Sequence, residues 1–489
     1  MNLTRTLPLL SLSLIFGAQL SAQSRIHRLD GSSVSPGDID QTVSRLITSA
    51  EVTGATIAIL SDGKVVYTKA YGLRDKEKNL LLTPNSVMSG ASLTKAAFAV
   101  LVLQLVDEGK LDLDKPIQQY LPKPLPEYSR YTDLAGDDGY KKITARMLLS
   151  HTAGFPNWRA FEDDRKLHLH FEPGSRYAYS GEGIDLLQLI VEVVTNKSTG
   201  DLMQDRIFTP LNMTRTSMTW QPRFESDFAN GYDEYGRSLG PQKREHPDAA
   251  GSLLTTVSDY ARLVAAVANG KLLSEKSRAQ LLSPQIRIHS KHQFPSLANE
   301  LTTDNDSIQL SYGLGWGLYT SPYGKVLFKE GHDEGWRNYA VCFEKSKSGV
   351  VIMTNSSNGE GIFQYLLESL LRDTFTPIEW EGFTPYDKLP PRSPLVKHTR
   401  ISIDEKLLDR YAGRYGQPPD LILTIRRAGD HLTIQENDEP AQDLLPESET
   451  AFYSTTNDDT LTFESSPDGR VSRLILHLQG RDLPVNRIE

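Results

Sequence analysis

The sequence predicts an α+β protein: a domain with an antiparallel sheet and helices, followed by a small all-β domain. Three observations carry this. Strand-like runs stand at both ends of residues 40–375, with helical patterns between them. Residues 376–400 are rich in proline and break periodicity. Beyond 400 come short alternating runs parted by turn residues. At 489 residues the chain is too long for one ordinary core, so two or more domains are expected.

The first stretch, "MNLTRTLPLLSLSLIFGAQLSAQS", has the form of a secretory signal peptide over residues 1–22. Arg5 supplies a positive start, Leu7 to Phe16 a short apolar core, and Ser21-Ala22 small residues before a cut after Ala22. That core is too short to span a bilayer, and no later stretch is long enough. The expectation is a periplasmic or secreted protein with no stable membrane anchor. Cys342 is the only cysteine, so no intrachain disulfide forms. It lies in a strand-like run and is expected to be packed rather than reactive.

"GATIAILSDGKVVYTKAYGL" holds two β-rich runs around Asp62-Gly63, a hairpin signal. "SLTKAAFAVLVLQLVDEG" reads as a buried helix closed by Gly109. "TARMLLSHTAGFP", "GIDLLQLIVEVVT" and "TTVSDYARLVAAVANGK" read as helices. "LSYGLGWGLY", "GKVLFKEGH", "NYAVCFEK" and "GVVIMTN" read as strands, and "EGIFQYLLESLLRDTF" as a closing amphipathic helix. The divisions expected are residues 1–22, an α+β domain over 23–375, a linker over 376–400 and an all-β domain over 401–489.

Ser-x-x-Lys occurs twice. At Ser61–Lys64 it falls on the hairpin turn and is ordinary turn chemistry. At Ser92–Lys95 it opens the buried helix, with Ser89 the expected N-cap. A serine there has an unpaired backbone N–H and the favourable end of the helix dipole, and the lysine follows one turn on. To act as a base at neutral pH a lysine must lose about three pKa units, about 4 kcal/mol, which burial and a nearby positive charge can supply. This chemistry calls for a tyrosine to share the proton and for a second cationic or imidazole group. The rival Gly-x-Ser-x-Gly elbow is incomplete at Ser92.

The chain resembles the serine β-lactamase and penicillin-binding-protein superfamily, nearest its class C-like hydrolases. "KLDLDKPIQQYLP", "ITARMLLSHTAGFP", "FEPGSRYAYSG", "AAGSLLTTVSDYARL", "YGLGWGL" and "EGHDEGWRN" carry the resemblance in order over residues 40–370. It implies an antiparallel sheet backed by helices on one side, a helical subdomain on the other, and the active site between. It also implies Ser92 and Lys95 as catalytic residues, with Tyr179 of Tyr179-Ser180-Gly181 as the phenol. Gly181 then stands where an asparagine is usual, and Tyr177 is the runner-up tyrosine, read as a packed aromatic. The third motif, Lys-Thr-Gly or His-x-Gly, is placed at "GHDEGWR": His332 near Lys95, Glu334 where the glycine is usual, and the Gly335 N–H with the Ser92 N–H as oxyanion donors. The last domain resembles a small lipocalin-like accessory domain.

Other signals carry less. A net charge of −9 speaks against nucleic acid as the main partner. His168, His170 and Glu172 would share a strand face, but no further ligand cluster accompanies them, so no metal is expected. His151 reads as structural. The function expected is an exported serine hydrolase acting through an acyl-enzyme on esters, or on amides of small or D-amino acids, with no cofactor. A β-lactamase or D,D-peptidase is the alternative, and a non-catalytic binder of β-lactams or cell-wall fragments is the reading from another class.

Overall fold

The computed structural model describes residues 25–488, apart from 393, 395–396, 418–420, 438–440, 456–458, 467 and 479–480. The signal-peptide reading at residues 1–22 lies outside the described residues.

The large domain is built on a nine-stranded antiparallel sheet. In chain order its strands are β1 (Gly54–Ser61), β2 (Lys64–Asp75), β3 (Leu80–Leu81), β4 (Ile286–Arg287), β5 (Ser311–Tyr312), β6 (Gly317–Ser321), β7 (Gly324–Asp333), β8 (Trp336–Phe343) and β9 (Ser348–Thr354). Their order across the sheet is β4-β5-β6-β7-β8-β9-β1-β2-β3, so the two chain ends of the domain meet where β9 pairs with β1. The hairpin read at Asp62-Gly63 joins β1 to β2.

Alternation along β1 explains the layering. Ile57 and Ile59 pack with Val341 and Ile352 under the helices α1 (Pro36–Ser49) and α6 (Phe363–Leu371). Ala58 and Leu60 point the other way, with Ala340, Cys342 and Val351, into a second core. That second face carries α2 (Leu93–Asp107), α3 (Ala145–Leu149), α4 (Gly181–Thr195) and α5 (Val257–Ala268). Helices thus cover one face of the sheet and a helical subdomain the other, as the resemblance implied. Burial pushes the Cys342 thiol up to about 12, which fits a packed residue.

The stretch 376–400 departs from the linker reading. Ile378, Trp380 and Phe383 are buried in the core beneath the sheet. Trp380 also accepts from the Gln293 N–H at 2.8 Å, and Glu381 accepts from the Tyr339 hydroxyl at 2.6 Å. The prolines remove backbone donors and erase periodicity, but they do not stop the aromatic residues between them from docking. Residues 376–386 therefore finish the large domain, and an exposed connection follows from Leu389.

The second domain begins with α7 (Glu405–Tyr411) and eight antiparallel strands, β10 (Gly413–Gln417), β11 (Leu421–Ala428), β12 (His431–Glu436), β13 (Gln442–Pro446), β14 (Ala451–Ser454), β15 (Thr460–Ser465), β16 (Val471–Leu478) and β17 (Arg481–Asn486). Tyr415 bridges to Arg487 and closes the sheet nearly to a barrel. Its interior is packed with Leu432, Phe452, Leu461, Phe463 and Leu474. No helix among the described residues is long and apolar enough to cross a membrane.

Chain truncation tests the revised boundary. A chain ending at Lys388 is expected to melt, by calorimetry, within a few degrees of the large domain in the whole protein. One ending at Phe375 forfeits three large buried side chains, at about 2–5 kcal/mol each, and is expected to melt far lower or not to fold.

Candidate functional site

The head of α2 is gripped from several sides. Gly90 to Lys95 form a tight turn, with Leu93, Thr94 and Lys95 N–H groups donating three residues back. Ser92 itself is the helix N-cap residue rather than Ser89, and Ala91 before it has a left-handed φ of 46°. The Thr94 hydroxyl donates to the Ala91 carbonyl at 2.6 Å and accepts from the Leu253 N–H at 3.0 Å. Tyr260 on α5 donates to the Leu93 carbonyl, and Asn338 on β8 donates to the Ser89 carbonyl. A non-glycine residue at positive φ persists only where its surroundings over-determine it, and these contacts do so.

Lys95 Nζ lies 3.1 Å from Ser92 Oγ and donates to the Ala250 carbonyl at 2.7 Å. It is 1% exposed. Burial first, and the Lys329 ammonium second, lower its pKa to about 7, against the pull of Asp248, Asp185 and Glu330. Tyr179 arrives on the extended segment before α4, is buried, has Lys95 Nζ 5.0 Å from its ring centroid, and feels the Ser92 hydroxyl as a neighbour. Burial and the Glu330 charge hold its phenol well above the usual range, so it is neutral. The His151 ring packs on Tyr179 at 4.3 Å between centroids, and its Nδ1 accepts from the Ser180 N–H. Burial, Lys95 and Lys329 keep that imidazole neutral. Tyr177 packs deeper, against Tyr312 and Trp380.

The structure brings Ser92, Lys95 and Tyr179 together, and supplies a cation that the sequence reading missed. Lys329 on β7 is wholly buried, and its Nζ donates to Tyr179 Oη at 3.0 Å and to Glu330 Oε1 at 2.5 Å. Lys329-Glu330-Gly331 is therefore the Lys-x-Gly segment that lines the site. At Gly331 a Cβ would fall 2.4 Å from the Gly90 carbonyl oxygen, so β7 lies directly on the turn that carries Ser92. Pairing of β6 with β7 ends at Gly317–Phe328, which leaves residues 329–333 without a strand partner on that edge.

His332 and Gly335 are placed differently from the expectation. The His332 ring is half-exposed, stacked beside Phe383, with Nδ1 3.5 Å from Glu360. Gly335 lies in the turn joining β7 to β8, at φ 76°, and its N–H donates to Ser357 Oγ at 2.9 Å. β7 ends at Asp333, so Gly335 lies in the turn beyond the strand edge, and its N–H is already committed to Ser357. The motif sits three residues earlier than "GHDEGWR" suggested. Its signal was a lysine inside an apolar strand, "VLFKEG".

Gly181 opens α4, and its N–H donates to Asn157 Oδ1 at 3.0 Å. A Cβ there would fall 2.3 Å from the Trp158 ring, so the indole occupies the place a side chain would take. That ring centroid is 5.9 Å from Lys95 Nζ. Phe294, 41% exposed, stands edge-on to Tyr179 at 5.4 Å. His168 and His170 pair with Asp164 and Glu162, and Glu172 with Lys142. Among the described residues no group of three or more His, Cys, Asp or Glu side chains is placed to hold a metal.

Known proteins place this geometry. The beta-lactamase family model matches residues 39–371, and a domain of unknown function, DUF3471, matches 397–487. Protein flp of Staphylococcus aureus (strain N315) is 26% identical over 402 residues, covering 79% of this chain and 72% of that protein. Penicillin-binding protein 4* of Bacillus subtilis (strain 168) is 22% identical over 436 residues, 81% of this chain and 87% of that one. Among solved structures, an octameric penicillin-binding protein homologue from Pyrococcus abyssi shares the fold with a TM-score of 0.56 at 21% identity, over 92% of this chain and 99% of that one. A D-alanine carboxypeptidase AmpC from Burkholderia cenocepacia does so with a TM-score of 0.53 at 20% identity, over 66% and 95%. With the family model covering well over half of its residues and the sheet, helical subdomain and site arranged as described, the chain belongs to the beta-lactamase family of serine hydrolases and penicillin-binding proteins.

Proposed function

We propose that the protein is a serine hydrolase working through an acyl-enzyme, on esters or on amides of small or D-configured amino acids. The observation that carries this reading is the 3.1 Å approach of Ser92 Oγ to a buried lysine amine whose pKa is about 7. The neutral amine takes the Ser92 proton as Oγ bonds to the substrate carbonyl carbon. The Ser92 N–H heads α2 and faces the oxyanion. Asp333 and Trp336 close a two-residue turn and form the hydrogen-bonded pair there. By alternation Gly331 also bonds to β8, while the His332 N–H points to the open edge and becomes the second donor. His332 thus serves through its backbone and not its imidazole. Tyr179, between Ser92 and the Lys329 ammonium, passes the proton from Lys95 to the leaving group, and water then releases the acid by the reverse path.

Two features favour neutral substrates over β-lactams or carboxyl-terminal peptides, despite the carboxypeptidase and penicillin-binding relatives. Lys329 is already paired with Glu330, so a substrate carboxylate finds no free ammonium there. Trp158 fills the space above Gly181, and with Phe294 it flanks the hydroxyl with aromatic surface suited to an apolar acyl group. The signal-peptide reading of residues 1–22 favours export to the periplasm or beyond.

Five outcomes are expected. A fluorophosphonate probe labels the wild type and not Ser92→Ala; a wild type that takes no label and cleaves no p-nitrophenyl ester would sink the reading. Lys95→Arg cannot become neutral and loses about 10²–10⁴ in kcat, while wild-type kcat/KM rises with pH through about 7 as Lys95 sheds its proton. Gly181→Asn clashes with Trp158 and lowers stability by about 1–3 kcal/mol in thermal melts, and adding Trp158→Ala restores it. Terminal sequencing of exported protein finds Gln23 first.

A further inference from the structure

Behind the Lys329–Glu330 pair stands a second acid. Glu381 comes from the segment that follows the family match, is buried, and accepts from the Tyr339 hydroxyl through Oε2. Its Oε1 is buried and meets no donor, while the neighbouring Glu330 carboxyl acts on it both by charge and as a hydrogen-bond partner. Ionised carboxylates only accept, so such a bond requires one proton between them.

The neighbours say where that proton sits. Glu330 Oε1 receives the Lys329 ammonium at 2.5 Å and the Gln293 amide at 3.1 Å, donors that suit an anion. Glu381 has the Tyr339 phenol. Burial, followed by the charge of Glu330, pushes its carboxyl well above the usual range. The other groups whose charges interact with Glu381 are Tyr177, Tyr312 and Tyr319, each kept neutral by burial, and the Lys329 ammonium.

We propose that Glu381 is a positioning residue of the hydrolase site: as a neutral carboxylic acid it donates to the Glu330 carboxylate, and Glu330 holds the Lys329 ammonium on the Tyr179 hydroxyl. Lys329, Glu330 and Glu381 together then carry no net charge. Loss of the Glu381 proton would set two buried carboxylates against each other and disturb the hold of Glu330 on the Lys329 ammonium. This inference rests on the hydrolase reading above.

Glu381→Gln and Glu381→Leu separate the possibilities. The glutamine amide can donate to Glu330 and accept from Tyr339; leucine can do neither. With p-nitrophenyl acetate at pH 7, Glu381→Leu is expected to lose at least about tenfold in kcat with KM within about twofold, and Glu381→Gln to stay within about threefold of wild type. On the alkaline side wild-type kcat falls as Glu381 ionises, and Glu381→Gln does not follow it. Infrared difference spectra of the wild type should show the carbonyl stretch of a protonated carboxyl that Glu381→Gln removes. Wild-type kcat in Glu381→Leu, equal impairment of both variants, superimposable alkaline limbs, or no such band would each overturn the proposal. A wild type that cleaves no ester fails at an earlier point, in the hydrolase reading, and takes this inference with it.

Discussion

Two lysine amines share one buried site, and most of the surrounding structure follows from that. Lys95 is held from its ordinary pKa to about 7, a difference of about 5 kcal/mol between its charged and neutral forms. Burial at the head of an apolar helix does most of this, and the Lys329 ammonium does more. A charged Lys329 in the same dry place requires its own anion, which Glu330 supplies at 2.5 Å. One amine is thereby brought near neutrality and the other is paired with a carboxylate, and Tyr179 lies against both. The two lysines come from opposite layers, α2 and the sheet, so the arrangement exists only when helical subdomain and sheet are packed together.

Much of this was legible in the sequence. Ser92 and Lys95 stood out because a polar pair opening an apolar helix is costly unless used, and Tyr179 because it follows a Pro-Gly turn at the tyrosine position of the family's second motif. Lys329 was missed because a single lysine in a strand ordinarily marks a solvated face. Here residues 326–331 are buried without alternation, the mark of a strand covered on both faces, and a lysine there must have a partner. The fold class and the two-domain division were readable from periodicity. The end of the large domain was not, because proline hides a docking segment as effectively as it marks a linker.

Gly181 shows a different limit. Its missing side chain reads as a lost amide, and the indole that takes the space lies 23 residues earlier with no local pattern joining the two. Close packing of this kind is a property of the folded site alone. The same holds for Gly331, whose hydrogen is all that separates β7 from the Ser92 turn.

The late position of Trp380 and Glu381 has a consequence for how the molecule is made. Every strand of the large sheet is complete by Thr354, yet the wall behind Lys329 is closed only by residues 378–383. The sheet can therefore form before the last segment docks, and the surroundings of Lys329 and Glu330 are completed only by that final step.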